Sequence, residues 1–174
     1  PEEAVAPEDR DSPMSATEVE GGTDVALLPG DILSGLVEVY AFTGGAHGNT
    51  FYIPFTYDLR AGTAVALGDV FRDGTPWADS LSAHADRVLV AKARDIEDPV
   101  SVDEARATLT PEGYTPEAMQ RATFSLGADS LMVHFAPYEV AYYAFGSSRV
   151  PVAYTDLAAM LRPDGAAARL RAGR

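Results

Sequence analysis

The chain carries three histidines, His47, His84 and His134, and no cysteine. Without thiols there is no route to a disulfide framework, a thiolate metal cluster, a cysteine nucleophile or a haem attachment motif. His47 has the most distinctive setting, in Gly44-Gly45-Ala46-His47-Gly48-Asn49, where paired glycines free the backbone and one imidazole projects from a loop. An imidazole so placed offers a general base or a metal ligand. Either role needs companions. His84 is expected on a helix and His134 on the outward face of a hairpin strand, and no HExxH or comparable spacing links any pair. The residues therefore predict no metal and no cofactor. The expected reading of His47 is a glycine-rich bend held by backbone hydrogen bonds and available as part of a surface.

Other chemistries meet similar obstacles. No lysine or Ser/Thr follows the glycines at P-loop spacing, and no helix is expected directly after Asn49. Gly-x-Ser-x-Gly does not occur, and neither Ser125 nor Ser147 has a base partner recognisable in sequence. Carboxylate neighbours such as Asp69 and Asp73, or Asp95, Glu97 and Asp98, are ordinary in a chain this acidic, and spacing cannot set two acids across a cleft. More informative is an aromatic loop, Pro137-Tyr138-Glu139-Val140-Ala141-Tyr142-Tyr143-Ala144-Phe145. Tyrosines join an apolar body to a polar tip, and rigid aromatic anchors carry much of the energy at recognition surfaces. About half of these rings should pack beneath a sheet, with Tyr138 and Tyr142 as the expected exposed pair. The candidate binding residues are accordingly Gly44, Gly45, His47, Asn49, Pro137, Tyr138, Glu139 and Tyr142.

Charge narrows the partner. The formal net charge is -13 over 174 residues. A field this negative repels phosphate backbones, which excludes nucleic acid as a natural partner and favours a basic one. The acids crowd one end: Glu2, Glu3, Glu8, Asp9, Asp11, Glu18, Glu20 and Asp24 face only Arg10. Arg162, Arg169, Arg171 and Arg174 reverse the sign at the other end. No run approaches the roughly 20 apolar residues of a membrane-spanning helix. Pro1 is not an initiator methionine, so a removed signal peptide, lipid-anchoring leader, transmembrane anchor or upstream domain is expected before it. Membrane contact is expected only through such an anchor.

The elements that must position these groups follow from periodicity. Residues 1–24, rich in Pro, Glu, Asp, Ser, Thr and Gly, read as an acidic flexible leader, and order is expected from about Val25. Leu36 to Phe42 is the first strong strand. Phe51 to Tyr57 alternates, with Phe51, Ile53, Phe55 and Tyr57 expected on a core-facing side and Pro54 at an edge or bulge. A short strand is expected over Ala64 to Leu67. Thr75-Pro76 opens the main helix, with Trp77, Leu81, His84 or Ala85, Val88 and Ala91 at helical spacing. Ser101-Val102-Asp103-Glu104 is a capping box for a short second helix, and Thr115-Pro116-Glu117 caps another turn. Thr123 to Leu126 and Leu131 to Phe135 flank a hairpin turn, with Phe124, Leu126, Leu131, Val133 and Phe135 sharing a side. Val150 to Tyr154 closes the sheet, Thr155 caps a helix to Leu161, and 163–174 reads as a basic tail with a frayed turn from Ala166 to Arg171. Strands joined mostly by hairpins around one principal helix predict an α+β fold with a mostly antiparallel sheet, its domain occupying residues 25–162.

Five motifs, in order, resemble a known family. They are Tyr40-Ala41-Phe42-Thr43-Gly44-Gly45-Ala46-His47-Gly48; Tyr57-Asp58-Leu59-Arg60-Ala61-Gly62 with Leu67-Gly68-Asp69-Val70-Phe71; Phe124-Ser125-Leu126-Gly127-Ala128-Asp129-Ser130-Leu131; Phe135-Ala136-Pro137-Tyr138-Glu139-Val140; and Val150-Pro151-Val152-Ala153-Tyr154. Together they resemble the RsiV-type extracytoplasmic domain of unknown function, shared with the non-catalytic region of the peptidoglycan deacetylase PdaC. The likeness spans about Val37 to Leu161. It implies an α+β domain at the bacterial cell envelope, often lipoprotein or membrane-anchored. It also implies a non-catalytic binding role, with a basic protein such as lysozyme, or cell-wall glycan, as ligand. A structural or assembly domain of a larger envelope protein, and a cell-wall glycan hydrolase using His47 with nearby carboxylates, are the competing expectations.

Overall fold

The computed structural model of the chain describes residues 17–96 and 101–172. It has an α+β architecture with two antiparallel sheets and one helix longer than the rest. The first sheet runs β1 (Glu18–Leu28), β2 (Ile32–Phe42), β3 (Asn49–Asp58) and β4 (Thr63–Ala64), in that order. The second is β5 (Thr123–Leu126), β6 (Ser130–Phe135) and β7 (Ser148–Ala153). Between the sheets in sequence lie α1 (Trp77–Ile96), α2 (Val102–Ala107) and α3 (Pro116–Met119), and α4 (Tyr154–Leu157) and α5 (Ala166–Ala172) follow β7.

The first sheet begins earlier than composition suggests. Glu18 to Asp24, expected to be flexible, belongs to a strand whose register with β2 holds from Glu18↔Phe42 to Leu28↔Ile32. Backbone pairing explains it: the acidic side chains stay in water while every position gains ladder partners, and Val19, Thr23, Val25 and Leu27 alternate as a strand requires. Gly30 and Asp31, both at positive φ, turn the chain at the hairpin and carry β2 back to Ile32, ahead of the expected Leu36. Residues 1–16 of the acidic leader lie outside the described residues. Pro54 pairs with Leu36 on a stretch of β3 that β4 does not reach, since β4 meets only Tyr57 and Asp58. Its missing N–H therefore breaks no ladder. The expected strand over Ala64 to Leu67 is instead Thr63–Ala64, followed by a 3-10 turn at Leu67–Val70.

The hydrophobic core lies between α1 and one side of the second sheet. Helix α1 buries Ala78, Leu81, Ala85, Leu89, Val90 and Ala93, a stripe at 3.6-residue spacing. Ala91 and His84, weighed for that stripe, fall outside it: Ala91 is exposed, and His84 hydrogen-bonds the Pro151 carbonyl at 2.9 Å. From the sheet come Phe124, Leu126, Leu131, Val133, Phe135, Val150 and Val152, all buried. The hairpin register, Phe124↔Val133 and Leu126↔Leu131, puts these rings and aliphatics on one side as expected. The capping box forms as read: Ser101 Oγ accepts from the Glu104 amide at 3.2 Å, and Glu104 accepts from the Ser101 amide at 2.9 Å. Thr115 caps α3 in the same way, accepting from the Ala118 amide. Helix α4 starts one residue before Thr155 and has no side-chain cap.

The C-terminal arginine-rich segment is docked. Ala166, Ala167 and Leu170 of α5 are buried, and Arg169 reaches Asp58 on β3 at 2.5 Å. The Arg169 hydrogen bond, with further amide donors from Ala61 and Arg60, holds the Asp58 carboxyl below the ordinary aspartate range. Arg106 does the same for Asp86 on α1. A depressed folded-state pKa contributes stability above the unfolded value of about 3.9 and loses it as pH falls through the folded value. The carboxylate contribution to thermal stability should therefore be level near neutrality and be lost below about pH 4. It follows a fall that sets in near pH 6.5, where the unfolded chain protonates His134 while burial keeps it neutral in the fold down to about pH 4. Arg169→Ala should remove part of the carboxylate slope, because Asp58 then loses the largest of the interactions that depress it. An unchanged slope would mean that α5 is not held by this pair.

Candidate binding site

Two segments far apart in sequence meet at one end of the first sheet. After β2, Gly44 and Gly45 take positive φ values of 97° and 99°, a bend that turns the chain back on itself. Gly48 then sits against Tyr40, whose hydroxyl accepts its N–H at 3.2 Å. A Cβ at Gly48 would stand 2.4 Å from the Tyr40 ring, so the loop can be this close only with glycine there. The bend aims His47 at the aromatic loop. Its Nε2 lies 3.0 Å from the Tyr138 hydroxyl and its Nδ1 3.0 Å from the Gly48 carbonyl. A carbonyl only accepts, so Nδ1 carries a proton, and in the neutral ring Nε2 accepts from Tyr138. The imidazole also stacks on Tyr143, centroids 3.8 Å apart and planes within 15°. Tyr138 and Tyr143 lean together at 5.4 Å.

Tyr138 is held at φ 72°, in the left-handed region that a residue with a Cβ seldom adopts, and is 55% exposed. The turn beneath it is tied down. Glu139 accepts from the Ala136 amide at 2.7 Å, the Thr110 amide donates to the Val140 carbonyl at 2.8 Å, and Leu109 bridges to Ala141. The expected candidates thus divide. His47 and Tyr138 meet, with Gly44 and Gly45 forming the bend that carries the one and Pro137 preceding the other in the chain. Glu139 serves the turn, Asn49 opens β3 opposite Ala41, and Tyr142, exposed as expected, packs edge-on against Phe145. Lys92 of α1 lies 4.3 Å over that same Phe145 ring and donates to the Ser147 carbonyl at 2.7 Å. Tyr143 was not singled out in sequence; nothing in the spacing reveals that it stacks on a histidine nearly a hundred residues upstream.

A second correction concerns Ser125 and His134. Ser125 Oγ lies 2.8 Å from His134 Nε2, so this serine does have an imidazole partner. His134 is not outward-facing: at 5% exposure it is sealed by the first sheet, with Tyr52 tilted against it. Burial, and then the positive charge of Arg149, push its pKa down to about 4, against a weaker upward pull from Asp24. Its Nδ1 meets no hydrogen-bond partner among the described residues. An imidazole without an orienting carboxylate and with so low a basicity is poorly equipped to activate a serine. The pair belongs to a polar seam between the sheets, continued by Ser34 Oγ, which lies 2.8 Å from Thr56 Oγ1 and accepts from the Leu126 amide. Beside the seam is an open cleft of about 440 Å³ lined by Glu20, Asp24, Glu38, Tyr40 and Arg149. Among the described residues no group of three His, Asp or Glu side chains is placed to hold a metal ion.

Residues 68–155 match the family described as a protein of unknown function, DUF3298. The chain belongs to the DUF3298 family. The matched segment includes Tyr138 and Tyr143, and His47 lies ahead of it. The peptidoglycan-N-acetylmuramic acid deacetylase PdaC of Bacillus subtilis (strain 168) is 28% identical over 113 residues, covering 65% of this chain and 22% of the deacetylase. A DUF3298 protein from Bacteroides fragilis has a crystal structure that aligns with a TM-score of 0.67 at 17% identity, over 95% of this chain and 64% of that one. Another from Pseudomonas aeruginosa PAO1 aligns at 0.60 and 18% identity, over 87% and 64%. The chain therefore spans about a fifth of the deacetylase and under two thirds of the solved DUF3298 chains. These likenesses bear out the α+β fold and the relationship to PdaC. Among the described residues of this DUF3298 domain, no helix is long and apolar enough to cross a membrane.

Proposed function

We propose that this DUF3298 domain is a non-catalytic binding module of the cell envelope, presenting the His47, Tyr138 and Tyr143 cluster to its ligand. The observation that carries this is the hydrogen bond between His47 and Tyr138, which locks two loops into one aromatic surface around a strained, half-exposed tyrosine. Strain at an exposed aromatic residue has no folding advantage and is commonly kept where a side chain must be aimed. Kinship with a peptidoglycan deacetylase supports the envelope setting. The net charge of -13 supports a basic ligand, and the resemblance to RsiV-type domains points to lysozyme, with cell-wall glycan as the other ligand class.

A hydrolase centred on His47 is disfavoured by the same geometry. Both imidazole nitrogens are engaged, one by a carbonyl and one by a phenol, and the ring face is covered by Tyr143. Calorimetric titration of the chain with lysozyme at low and high salt tests the protein ligand. Binding is expected at low salt, weaker at high salt because the attraction is screened, and weaker again in His47→Ala. Titration with soluble peptidoglycan fragments tests the glycan. Heat from neither would end the proposal for both ligands, and release of cleaved fragments would replace it with catalysis.

A further inference from the structure

The first sheet turns its polar side inward. Residues directly opposite across an antiparallel pair share a face, so the register sets Glu20, Gly22 and Asp24 of β1 beside Tyr40, Glu38 and Leu36 of β2. Ser34, which takes the Leu126 amide of the second sheet, lies on that same side. The apolar side of β3, expected to face the core, faces solvent instead: Ile53 is 57% exposed and Phe51 54%. Sheets packed face to face ordinarily fill the space between them with interdigitating side chains. Here the open cleft of about 440 Å³ remains, with Glu20, Asp24, Glu38 and Tyr40 from the first sheet and Arg149 from β7. A chamber of about 180 Å³ continues it, sharing Asp24, Leu36 and Arg149 and adding Ser125 and His134. Gly22 keeps the opening wide. It stands between Glu20 and Asp24 on one strand and opposite Glu38 on the next, about 5–7 Å from each by ordinary strand geometry. A Cβ there would meet nothing within 4 Å.

We propose that this cleft binds an organic cation, the guanidinium or ammonium end of an alkyl stem, over Gly22. Charge selects the sign of the ligand. Three carboxylates stand against one guanidinium, and Arg149 approaches only Glu38, at 3.8 Å. Among the described residues no ion pair reaches Glu20 or Asp24. Spread selects its size. No group of three His, Asp or Glu side chains among the described residues is placed to close on a metal ion, whereas a guanidinium brings five donors and an ammonium three to acceptors set further apart. Tyr40 lines the same opening and offers a ring to a cation, and the buried Leu36 suits an alkyl stem. His134 is an independent sign of a ligand. Only 5% exposed, it lines the inner chamber, and its Nδ1 has no partner among the described residues, although buried polar atoms are ordinarily paired. With Nε2 donating to Ser125 Oγ, Nδ1 accepts, and a donor carried into the chamber is the partner it lacks.

This site is separate from the His47 cluster, so its test uses neither lysozyme nor glycan. Amide resonances of the ¹⁵N-labelled whole chain are followed as an end-blocked glycyl-arginyl-glycine peptide is added up to millimolar concentration. The same peptide with citrulline for arginine is the uncharged isostere, and spermidine is a free cation. The arginine peptide should shift Gly21, Gly22, Glu38 and Arg149, less so at high salt, and the citrulline peptide should not. A stronger response to the peptide assigns the cleft to a side chain presented by a protein; a stronger response to spermidine assigns it to a free polyamine. Glu20→Gln and Asp24→Asn should each weaken binding about threefold, as for exposed ion pairs. Gly22→Leu should abolish it at an unchanged melting temperature, because the side chain fills the opening and meets no backbone. That variant keeps every charge, so a general attraction of cations to a chain of net charge -13 would survive it. Equal shifts from the citrulline peptide, a response indifferent to Gly22→Leu, or no response to either cation would overturn the proposal.

Discussion

Replacing Gly113 with alanine should lower the stability of the whole domain by about 3 kcal/mol, at the upper end of overpacking penalties. A Cβ at this position would lie 1.8 Å from the Glu139 carbonyl oxygen and 2.8 Å from its carbon, so one backbone must move. Neither can move cheaply. On one side, Gly113 belongs to the 3-10 turn Pro111–Tyr114, whose Tyr114 is buried and hydrogen-bonded to Asp86 at 3.3 Å. On the other, Glu139 is flanked by the Ala136 turn and by the Leu109↔Ala141 bridge. For a chain of this size the loss corresponds to a melting temperature lower by about 6–12 °C. Because Tyr138 precedes the displaced carbonyl, ligand binding should fall with stability. A thermal melt within a degree of the parent would show that the two turns are looser than their contacts imply.

Tyr138→Gly should separate function from stability in the opposite sense. Glycine adopts φ 72° without strain, and a non-glycine residue there costs about 1 kcal/mol or more. Little packing is lost, since Tyr138 is largely exposed, though its hydrogen bond to His47 goes. Melting should therefore stay level or rise slightly. Binding should weaken by about 2 kcal/mol, roughly 30-fold, as for an aromatic hot spot. A residue kept only for the fold would behave differently: its glycine variant would bind normally. Tyr143→Ala serves as a companion, because it removes the ring stacked on His47 without touching the strained turn.

Much of the second half of the fold is legible from local chemistry. The Ser101 capping box, the Thr115 cap and the Gly127 to Ser130 hairpin each act within a few residues, so composition and spacing suffice. Three features were hidden because they depend on distant partners. Strand β1 is made by pairing with β2 and not by burial, and an acidic, glycine-containing stretch gives no apolar signal for that. His134 alternates as an outward residue on β6, yet the first sheet covers that side. Alternation along β3 is read correctly as two faces, but periodicity cannot say which one turns inward; Ser34, Thr56 and the Leu126 amide satisfy one another on the inner side and leave the apolar face outside. At the site, both loops were visible as candidates. Their meeting through His47 and Tyr138, 91 residues apart, was not.

The most direct test maps the contact. Amide resonances of the ¹⁵N-labelled chain should be followed while lysozyme, and separately soluble peptidoglycan fragments, are added. The account predicts that one of them shifts Gly45, His47, Tyr138 and Tyr143 together, with the Tyr138→Gly variant losing the response. Shifts confined to the inter-sheet cleft around Arg149 and Glu38, or no shifts with either ligand, would contradict it.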